Sequence, residues 1–160
     1  MRILGKHKKK KMTLILIILV IFFLFLHCCN KPKTTIQDPK EYEQFVDQQH
    51  FNVDEILLEL ELWLSELDLE KMCQPEVQVG FDYYAEALLK EVKRFHLVEY
   101  IGKETIASYE EVQLYFEVVQ QFGEKMDELS QTKTNQNAIQ LLKELIEIQI
   151  QMKELRGTFQ

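Results

Sequence analysis

The chain has 160 residues, of which 46% are hydrophobic and 28% charged, with only five glycines and three prolines. This composition predicts a helical protein and argues against a β-sandwich, whose turns need Gly and Pro at regular intervals. Residues 1–28 hold six of the 19 Lys and Arg and none of the 26 Asp and Glu, so residues 29–160 hold 13 basic against 26 acidic residues. Their formal charge of −13 argues against binding nucleic-acid phosphates by general electrostatics.

The N-terminal segment has the order of a bacterial secretion signal. Six basic residues precede an uncharged, mainly apolar stretch at 12–26. These fifteen residues are fewer than the about 20 that a membrane-spanning helix needs, and they fit the apolar region of a signal peptide. We therefore predict that residues 1–28 are a lipoprotein signal peptide that is removed. The alternative is an uncleaved N-terminal anchor helix, and both place the rest of the chain outside the cytoplasm.

Two adjacent cysteines follow the apolar stretch. Cys29 has a small residue, Cys28, directly before it and an aliphatic residue, Leu26, three positions before it. This is the pattern at which a signal peptidase cuts before a lipid-modified cysteine, whereas Cys28 follows His27 and lacks the small neighbour. Cys29 is therefore the predicted lipid-attachment site, with Cys28 as second choice. At about 0.8 kcal/mol per buried CH₂, two or more acyl chains anchor a protein stably.

The segment after the cysteines predicts a tether followed by one domain. Residues 29–37 are mostly polar and contain Pro32, which is typical of a flexible linker. Residues 38–160 are long enough for one helical domain with its own core. We therefore place the lipidated cysteine and tether at 29–37 and a helical bundle domain at 38–160.

The first predicted helix is short. Asp38 is a suitable N-cap, Pro39 suits the first helical position, and Glu41 stands three residues after the cap. We predict that this helix ends near His50.

A second start signal follows almost at once. Asn52 and Glu55 have the spacing of a capping box, and Phe51 and Ile56 sit where a hydrophobic staple forms. These residues predict a new helix from Asn52. Pro75 is expected to close that helix and open the next.

Two further helices follow in the centre of the chain. The third is predicted over 76–101, with Gly102 as its C-terminal cap. The fourth begins between residues 103 and 108, with Ser108 as a candidate cap. A polar loop is predicted over 130–137.

The last helix has the most regular hydrophobic period. Apolar residues recur at heptad spacing along one face, which we call the seam, and Leu142 and Ile146 widen it. The seam residues are Ala138, Leu141, Leu145, Ile148, Met152 and Leu155. Such a seam either pairs with another molecule or forms an internal face of a bundle, and short loops favour the second interpretation. We predict an all-α, up-and-down bundle of four long helices plus one short N-terminal helix, which is a monomer or a weak helix-mediated dimer.

The sequence contains no specific signature of an enzyme. His50 and His96 are isolated, and the chain lacks the H-x-x-x-H, G-x-S-x-G and Walker A patterns. Cys73 fits a small residue at a helix end better than a nucleophile. We therefore predict no catalytic residue, no metal and no cofactor, and an enzyme or metal protein ranks last among the hypotheses.

Lys90, Lys93 and Arg94 form the main basic cluster of the acidic body. Lys90 and Arg94 share a helical face and Lys93 lies beside them, which makes a candidate patch for a sulfated glycan or an acidic protein segment. Tyrosines left exposed nearby would be candidate contact residues. The alternative is that the cluster is neutralised by neighbouring acidic residues: Glu86, Glu91 and Glu99.

The chain resembles the small plasmid-encoded surface lipoproteins of the Lyme-disease spirochaetes (Borrelia), and among them the orf-D group. The residues that carry this resemblance are MRILGKHKKKKM…FLFLHCCN at the front and NAIQLLKELIEIQIQMKELRG at the back. The resemblance implies export to the outer membrane, surface display and, as in several relatives, binding of host matrix or complement proteins. Of the relatives' functional residues, only the lipidated cysteine, Cys29, carries over to a position here.

These observations favour a non-enzymatic, lipid-anchored protein of the bacterial outer surface that binds host proteins. Its membrane contact would come through the acyl chains, and its ligand contact from Lys90, Lys93 and Arg94. The alternative is an inward-facing envelope lipoprotein with a structural or assembly role.

Overall fold

The computed structural model describes residues 33–103, 106 and 109–157. The predicted signal peptide and the two candidate lipidation sites, Cys28 and Cys29, lie outside these residues. The elements in chain order are strand β1 (Thr34–Ile36), helix α1 (Pro39–Ser65), a 3₁₀ turn (Leu69–Lys71), helix α2 (Pro75–His96), strand β2 (Val98–Tyr100), helix α3 (Tyr109–Ser130) and helix α4 (Asn135–Gly157).

The described residues form a mainly helical body, as the composition predicts. Consecutive helices pack against each other, and α1 is antiparallel to α2, since Phe45 near its start stacks on Phe95 while Trp63 near its end packs on Phe81. The helices α3 and α4 are also antiparallel, because Leu114 and Leu155 line one groove at their opposite ends. A bundle of four long helices is therefore confirmed for the described residues.

The predicted short N-terminal helix is wrong, because one helix runs through the expected break. Asp38 does cap α1, accepting a hydrogen bond at its Oδ1 from the backbone N–H of Lys40 at 2.9 Å. No Gly or Pro interrupts the chain near His50, so the helix continues. Asn52 is not a cap, since its side chain donates a hydrogen bond to Glu91 on α2.

The end of α1 also differs from the prediction. We expected a helix up to Pro75, whereas α1 ends at Ser65. Asp68 then accepts a hydrogen bond from the backbone N–H of Glu70 at 3.0 Å and caps the 3₁₀ turn. Short polar side chains compete with helical backbone pairing in this way. Pro75 opens α2 at the first helical position, as predicted.

A small parallel sheet replaces the predicted end of the third helix. The helix α2 ends at His96, and β2 pairs in parallel with β1, with Ile36 opposite Tyr100. Residues of β1 were expected in the flexible tether, and this expectation is wrong for Thr34–Ile36, since Ile36 is buried. β-Branched residues at both strands suit this pairing better than helix.

Gly102 does not act as a helix cap. No glycine among the described residues has a positive φ, and α2 ends six residues before Gly102. A Cβ at this position would lie 2.6 Å from the carbonyl oxygen of Gln37 and would overlap the Tyr100 ring. Glycine is therefore required here by the close approach of the chain after β1.

The last two helices follow the sequence pattern more closely. The predicted cap Ser108 lies outside the described residues, and α4 begins at Asn135, inside the predicted loop at 130–137. The seam of α4 is an internal face: Ala138, Leu145 and Met152 are buried, and Leu141, Ile148 and Leu155 pack half-buried against the core. Ile146, which was expected to widen the seam, is 57% exposed.

The core is centred on α3, which packs against both α2 and α4. Phe116 is fully buried, and its ring stacks on Phe95 with centroids 3.9 Å apart. Gly123 lets the backbone approach Leu89, which would lie 2.9 Å from a Cβ there. Among the described residues, no helix has the length and apolar content needed to cross a membrane.

Candidate functional site

The outer face of α2 carries the residues that the sequence singles out. The opposite face of α2 is buried in the core through Phe81, Ala85, Leu88, Val92 and Phe95. Among the exposed residues of the outer face, we call five the α2 strip: Val79, Tyr83, Lys90, Lys93 and Arg94; the acidic residues Asp82 and Glu86 are exposed beside them. Val79 is 68% and Tyr83 61% exposed, so the strip combines two apolar or aromatic groups in one part with three cations in another.

The predicted basic patch lies within this strip. All three cations are exposed, and no ion pair to Lys90 or Lys93 occurs among the residues that the structure describes. Arg94 does form an ion pair, with Glu91. Neutralisation by a neighbouring glutamate therefore applies to one of the three cations, and ligand binding by the patch stays a prediction.

Glu91 fixes Arg94 and joins two helices. Its carboxylate is buried and accepts hydrogen bonds from Asn52 Nδ2 at 3.0 Å and from Arg94 Nη1 at 2.5 Å. A buried charge needs such partners because its desolvation is otherwise unfavourable. Glu91 therefore orients the guanidinium of Arg94 and pins α2 to α1. The sequence signal for this role is absent, because Asn52 and Glu91 are 39 positions apart.

Tyr83 is held at the surface by a row of aromatic rings. It contacts Tyr84 edge to face, with centroids 5.1 Å apart, and Tyr84 in turn packs on Trp63. Partial burial, followed by the nearby charge of Glu59, raises the pKa of Tyr84 above its ordinary value. Tyr83 thus presents a ring of fixed position, and such residues are enriched at protein interfaces.

A concave feature lies between α1 and α4. It is an open groove of about 220 Å³. Its floor includes Leu57, Tyr115 and Met152, of which Tyr115 and Met152 are buried. The groove shows that α1 and α4 are not in full apolar contact along this line.

Polar side chains bridge the groove. Arg156 on α4 forms an ion pair with Asp54 on α1. Glu61 on α1 accepts hydrogen bonds from Gln149 at 2.5 Å and from Lys153 at 3.4 Å. These groups hold α1 to α4 through solvent-accessible contacts, which stabilise less than apolar packing does.

His50 is buried next to this groove. Its ring is parallel to Phe116 with centroids 5.5 Å apart and meets Tyr115 edge to face at 4.7 Å. Burial, together with the positive charge of Arg156, lowers the pKa of His50 to about 4, while Asp47 acts in the opposite direction. The imidazole is therefore neutral at neutral pH, and its surroundings are those of a core residue.

Sequence reasoning treated His50 as isolated and did not place it beside Tyr115 and Arg156. The fold brings these groups together from α1, α3 and α4, and no local spacing could have shown it. Among the described residues, no group of three or more His, Cys, Asp or Glu side chains is arranged to hold a metal ion. Cys73 is a half-buried free thiol.

Comparison with known proteins identified no relative. No protein-family model matches the sequence. No curated protein and no solved structure shows significant similarity to the chain.

Proposed function

We propose that this chain is a non-enzymatic, lipid-anchored protein of the bacterial outer surface that presents its helical body to host proteins. The observation that carries the proposal is the order of a basic head, a fifteen-residue apolar stretch and the Cys28-Cys29 pair. The resemblance to spirochaete surface lipoproteins supports the same location.

The number of residues between Cys29 and β1 would limit the distance between the helical body and the membrane. Thr34 follows Cys29 by five positions. Five extended residues span at most about 18 Å. Cleavage before an acylated Cys29 would therefore hold the sheet end of the body close to the lipid headgroups. The 3₁₀ turn at Leu69–Lys71, which follows the far end of α1, would point away from the membrane.

This anchoring gives the α2 strip a direction. The chain enters β2 directly after α2, so under this anchoring Lys93 and Arg94 would lie toward the membrane. Tyr83 lies eleven positions before Arg94, or about 16 Å farther out along the helix. The strip would therefore offer cations near the lipid and an aromatic contact farther from it.

The chemistry of the strip fits an acidic ligand. Residues 29–160 carry a formal charge of −13, so a local group of cations stands out against an acidic surface. Lys90 and Lys93 can attract sulfate or carboxylate groups, and Tyr83 adds apolar contact area. An acidic segment of a host protein or a sulfated glycan has the matching groups.

Ligand binding can be tested by charge reversal on the strip. The double variant Lys90→Glu with Lys93→Glu should abolish saturable binding to heparin and to any serum or matrix protein that the unaltered protein captures. The matched control is Lys71→Glu with Lys133→Glu, which makes the same charge change away from the strip. Equal binding by both double variants would contradict a role for the strip.

The location can be tested by protease treatment of intact cells. Digestion of the body on intact cells is the expected result for a surface protein. Protection until the outer membrane is lysed would instead support an inward-facing envelope lipoprotein with a structural or assembly role.

A further inference from the structure

Exposed apolar side chains lie on both sides of the groove between α1 and α4. On α1 these are Leu58 and Leu62, and on α4 they are Ile146 and Ile150, each between 52% and 62% exposed. Helical spacing places each pair on the outer surface of its helix, next to the groove. We call these four residues the apolar band. Contiguous exposed apolar surface of this kind marks interaction sites more often than isolated residues do.

The apolar band is continuous across the groove. The polar contacts that cross the groove show that α1 and α4 lie side by side and antiparallel. Counting along both helices from these contacts, Leu58 lies near the level of Ile150, and Leu62 lies near the level of Ile146. Leu58 also lines the groove itself, together with the buried Met152 of its floor. An apolar side chain of a ligand can therefore contact both helices at once.

Carboxylates border the apolar band on both of its outer margins. By helical spacing, Glu55, Glu59 and Glu66 lie on the side of α1 that is away from α4, and Glu147 and Glu154 lie on the side of α4 that is away from α1. All five are exposed. Within the part of the chain that the structure describes, no ion pair involves any of them.

The charge balance of this face is acidic. The helix α1 has five carboxylates and no basic residue between positions 54 and 66. On the adjoining side of α4, Lys153 and Arg156 already pair with carboxylates of α1. Among the described residues of this face, Lys143 is the remaining basic one. The two margins therefore hold five carboxylates against one lysine.

We propose that the apolar band and its acidic margins bind a cationic amphipathic helix of a partner polypeptide. Such a helix carries Lys or Arg on both sides of an apolar stripe. With the stripe laid along the groove, its apolar side chains contact the apolar band, and its cations reach the glutamates of both margins. This is the helix-in-groove mode of recognition, in which apolar anchors supply contact area and flanking charges set the specificity.

The positions of the carboxylates define the charge spacing of the ligand. Counting along the two helices from the same contacts, Glu55 lies near the level of Glu154, and Glu66 lies near the level of Glu147. Glu55 and Glu66 are eleven positions apart. This separation corresponds to about 16 Å, or about three helical turns. The ligand should therefore carry basic residues about three turns apart on both sides of its apolar stripe.

Other occupants are less complementary to this face. Anionic lipid headgroups and acidic protein segments would be repelled by the two margins. A second copy of the chain would bring its own acidic margins against them. The face thus selects a ligand of the opposite charge to the one that the α2 strip selects, so this inference goes beyond the proposed function and does not rest on it.

Peptide binding to the full chain in zwitterionic nanodiscs tests this inference, with protein-free nanodiscs as the reference. The probe is a helical peptide of leucine and lysine whose lysines flank its leucine stripe on both sides. Its control is the same peptide with every lysine replaced by glutamate. The cationic peptide should bind saturably and the acidic one should not. Binding no greater than to protein-free nanodiscs, or equal binding of the two peptides, would overturn the proposal.

Charge reversal tests the role of the margins. Glu55→Lys with Glu66→Lys should raise the Kd of the cationic peptide roughly tenfold, because attraction becomes repulsion at two positions. The matched control is Glu117→Lys with Glu124→Lys, which makes the same charge change at exposed positions of α3. An equal rise in Kd for both variants would show that the peptide responds only to the total charge, and it would contradict the proposed docking.

Removal of apolar area tests the role of the band. Leu62→Ser with Ile146→Ser should raise the Kd of the cationic peptide roughly tenfold, because apolar surface is no longer buried on binding. The control is Val79→Ser with Leu114→Ser, which are exposed positions outside the band. An unchanged Kd in the first variant would refute the docking.

Sedimentation of the full chain supplies a further check. A dimer that is lost in the Leu62→Ser, Ile146→Ser variant would assign the face to a second copy and would overturn the proposal. None of these measurements depends on acylation of Cys29 or on the cations of the α2 strip. Failure here is therefore separable from failure of the proposed function.

Discussion

The helix α4 packs differently against its two neighbours, α3 on its core flank and α1 on its α1 flank. Toward α3, Ala138, Leu145 and Met152 are buried in a continuous apolar core. Toward α1, an open groove remains and is crossed by Asp54–Arg156 and the contacts of Glu61. The core flank supplies stability, whereas the α1 flank keeps paired charged side chains and part of its apolar surface in contact with solvent.

The largest expected effect on stability comes from removing an aromatic ring from the core around α3. Phe116→Ala removes the ring that stacks on Phe95 and His50, and a fully buried Phe→Ala change lowers the free energy of unfolding by about 3–5 kcal/mol. Urea denaturation of the mature protein measures the loss. Leu114→Ala, on the exposed side of the same helix, should change the value by less than about 0.5 kcal/mol. Similar losses for both variants would contradict a core centred on α3.

The buried His50 should make the core sensitive to acid. Its pKa is lowered from 6.5 to about 4 in the folded protein. Between these two pH values, the unfolded chain therefore binds a proton at His50 that the folded protein does not bind. The contribution of neutral His50 to the free energy of unfolding is fully present above pH 6.5. It falls by about 3 kcal/mol as the pH approaches 4.

The variant His50→Phe isolates this contribution, because it keeps a ring but cannot bind a proton. The difference in unfolding free energy between the unaltered protein and this variant should shift by about 3 kcal/mol from pH 7 to pH 4. Parallel stability curves across this interval would show that the imidazole is not buried as described.

The contact between α1 and α2 depends on Gly80. A Cβ there would overlap the Trp63 ring, so Gly80→Ala must displace the indole. We expect a loss of about 1–3 kcal/mol and a red shift of the emission of Trp63, the sole tryptophan of the chain. Gly157→Ala is the control, since a Cβ there meets no atom within 4 Å. Unchanged emission in Gly80→Ala would argue against this packing.

The smallest effect on stability should come from removing an ion pair between α1 and α4. Arg156→Gln removes the ion pair with Asp54, whose partners are both partly exposed, and should lower stability by about 0.5–1 kcal/mol. Lys133→Gln, a lysine in the loop before α4, should have no measurable effect. A loss for Arg156→Gln as large as that of Phe116→Ala would mean that the two flanks do not differ in the way described.

Local signals in the sequence predicted the parts of the fold that local chemistry determines. Asp38, Pro39 and Pro75 begin helices where their backbone preferences require it, and the heptads of α4 identify its buried face. Asn52 failed as a helix start because capping residues are equally able to serve tertiary contacts, and Glu91 provides one. The parallel pairing of β1 with β2 joins segments too distant for any local pattern to reveal.

The surface features likewise differ in whether local sequence patterns predict them. Helical spacing alone placed Lys90, Lys93 and Arg94 on one outer face. The exposure of Ile146 and Leu62 could not be predicted, since they sit in helical patterns that resemble those of buried residues.

The claim on which the functional account rests is acylation of Cys29 after removal of residues 1–28. Mass spectrometry of the protein isolated from its native membrane measures this directly. The account predicts an N-terminal peptide that begins at Cys29 and carries the mass of its acyl chains. A peptide that still contains Met1, or an unmodified Cys29 at the N-terminus, would contradict it.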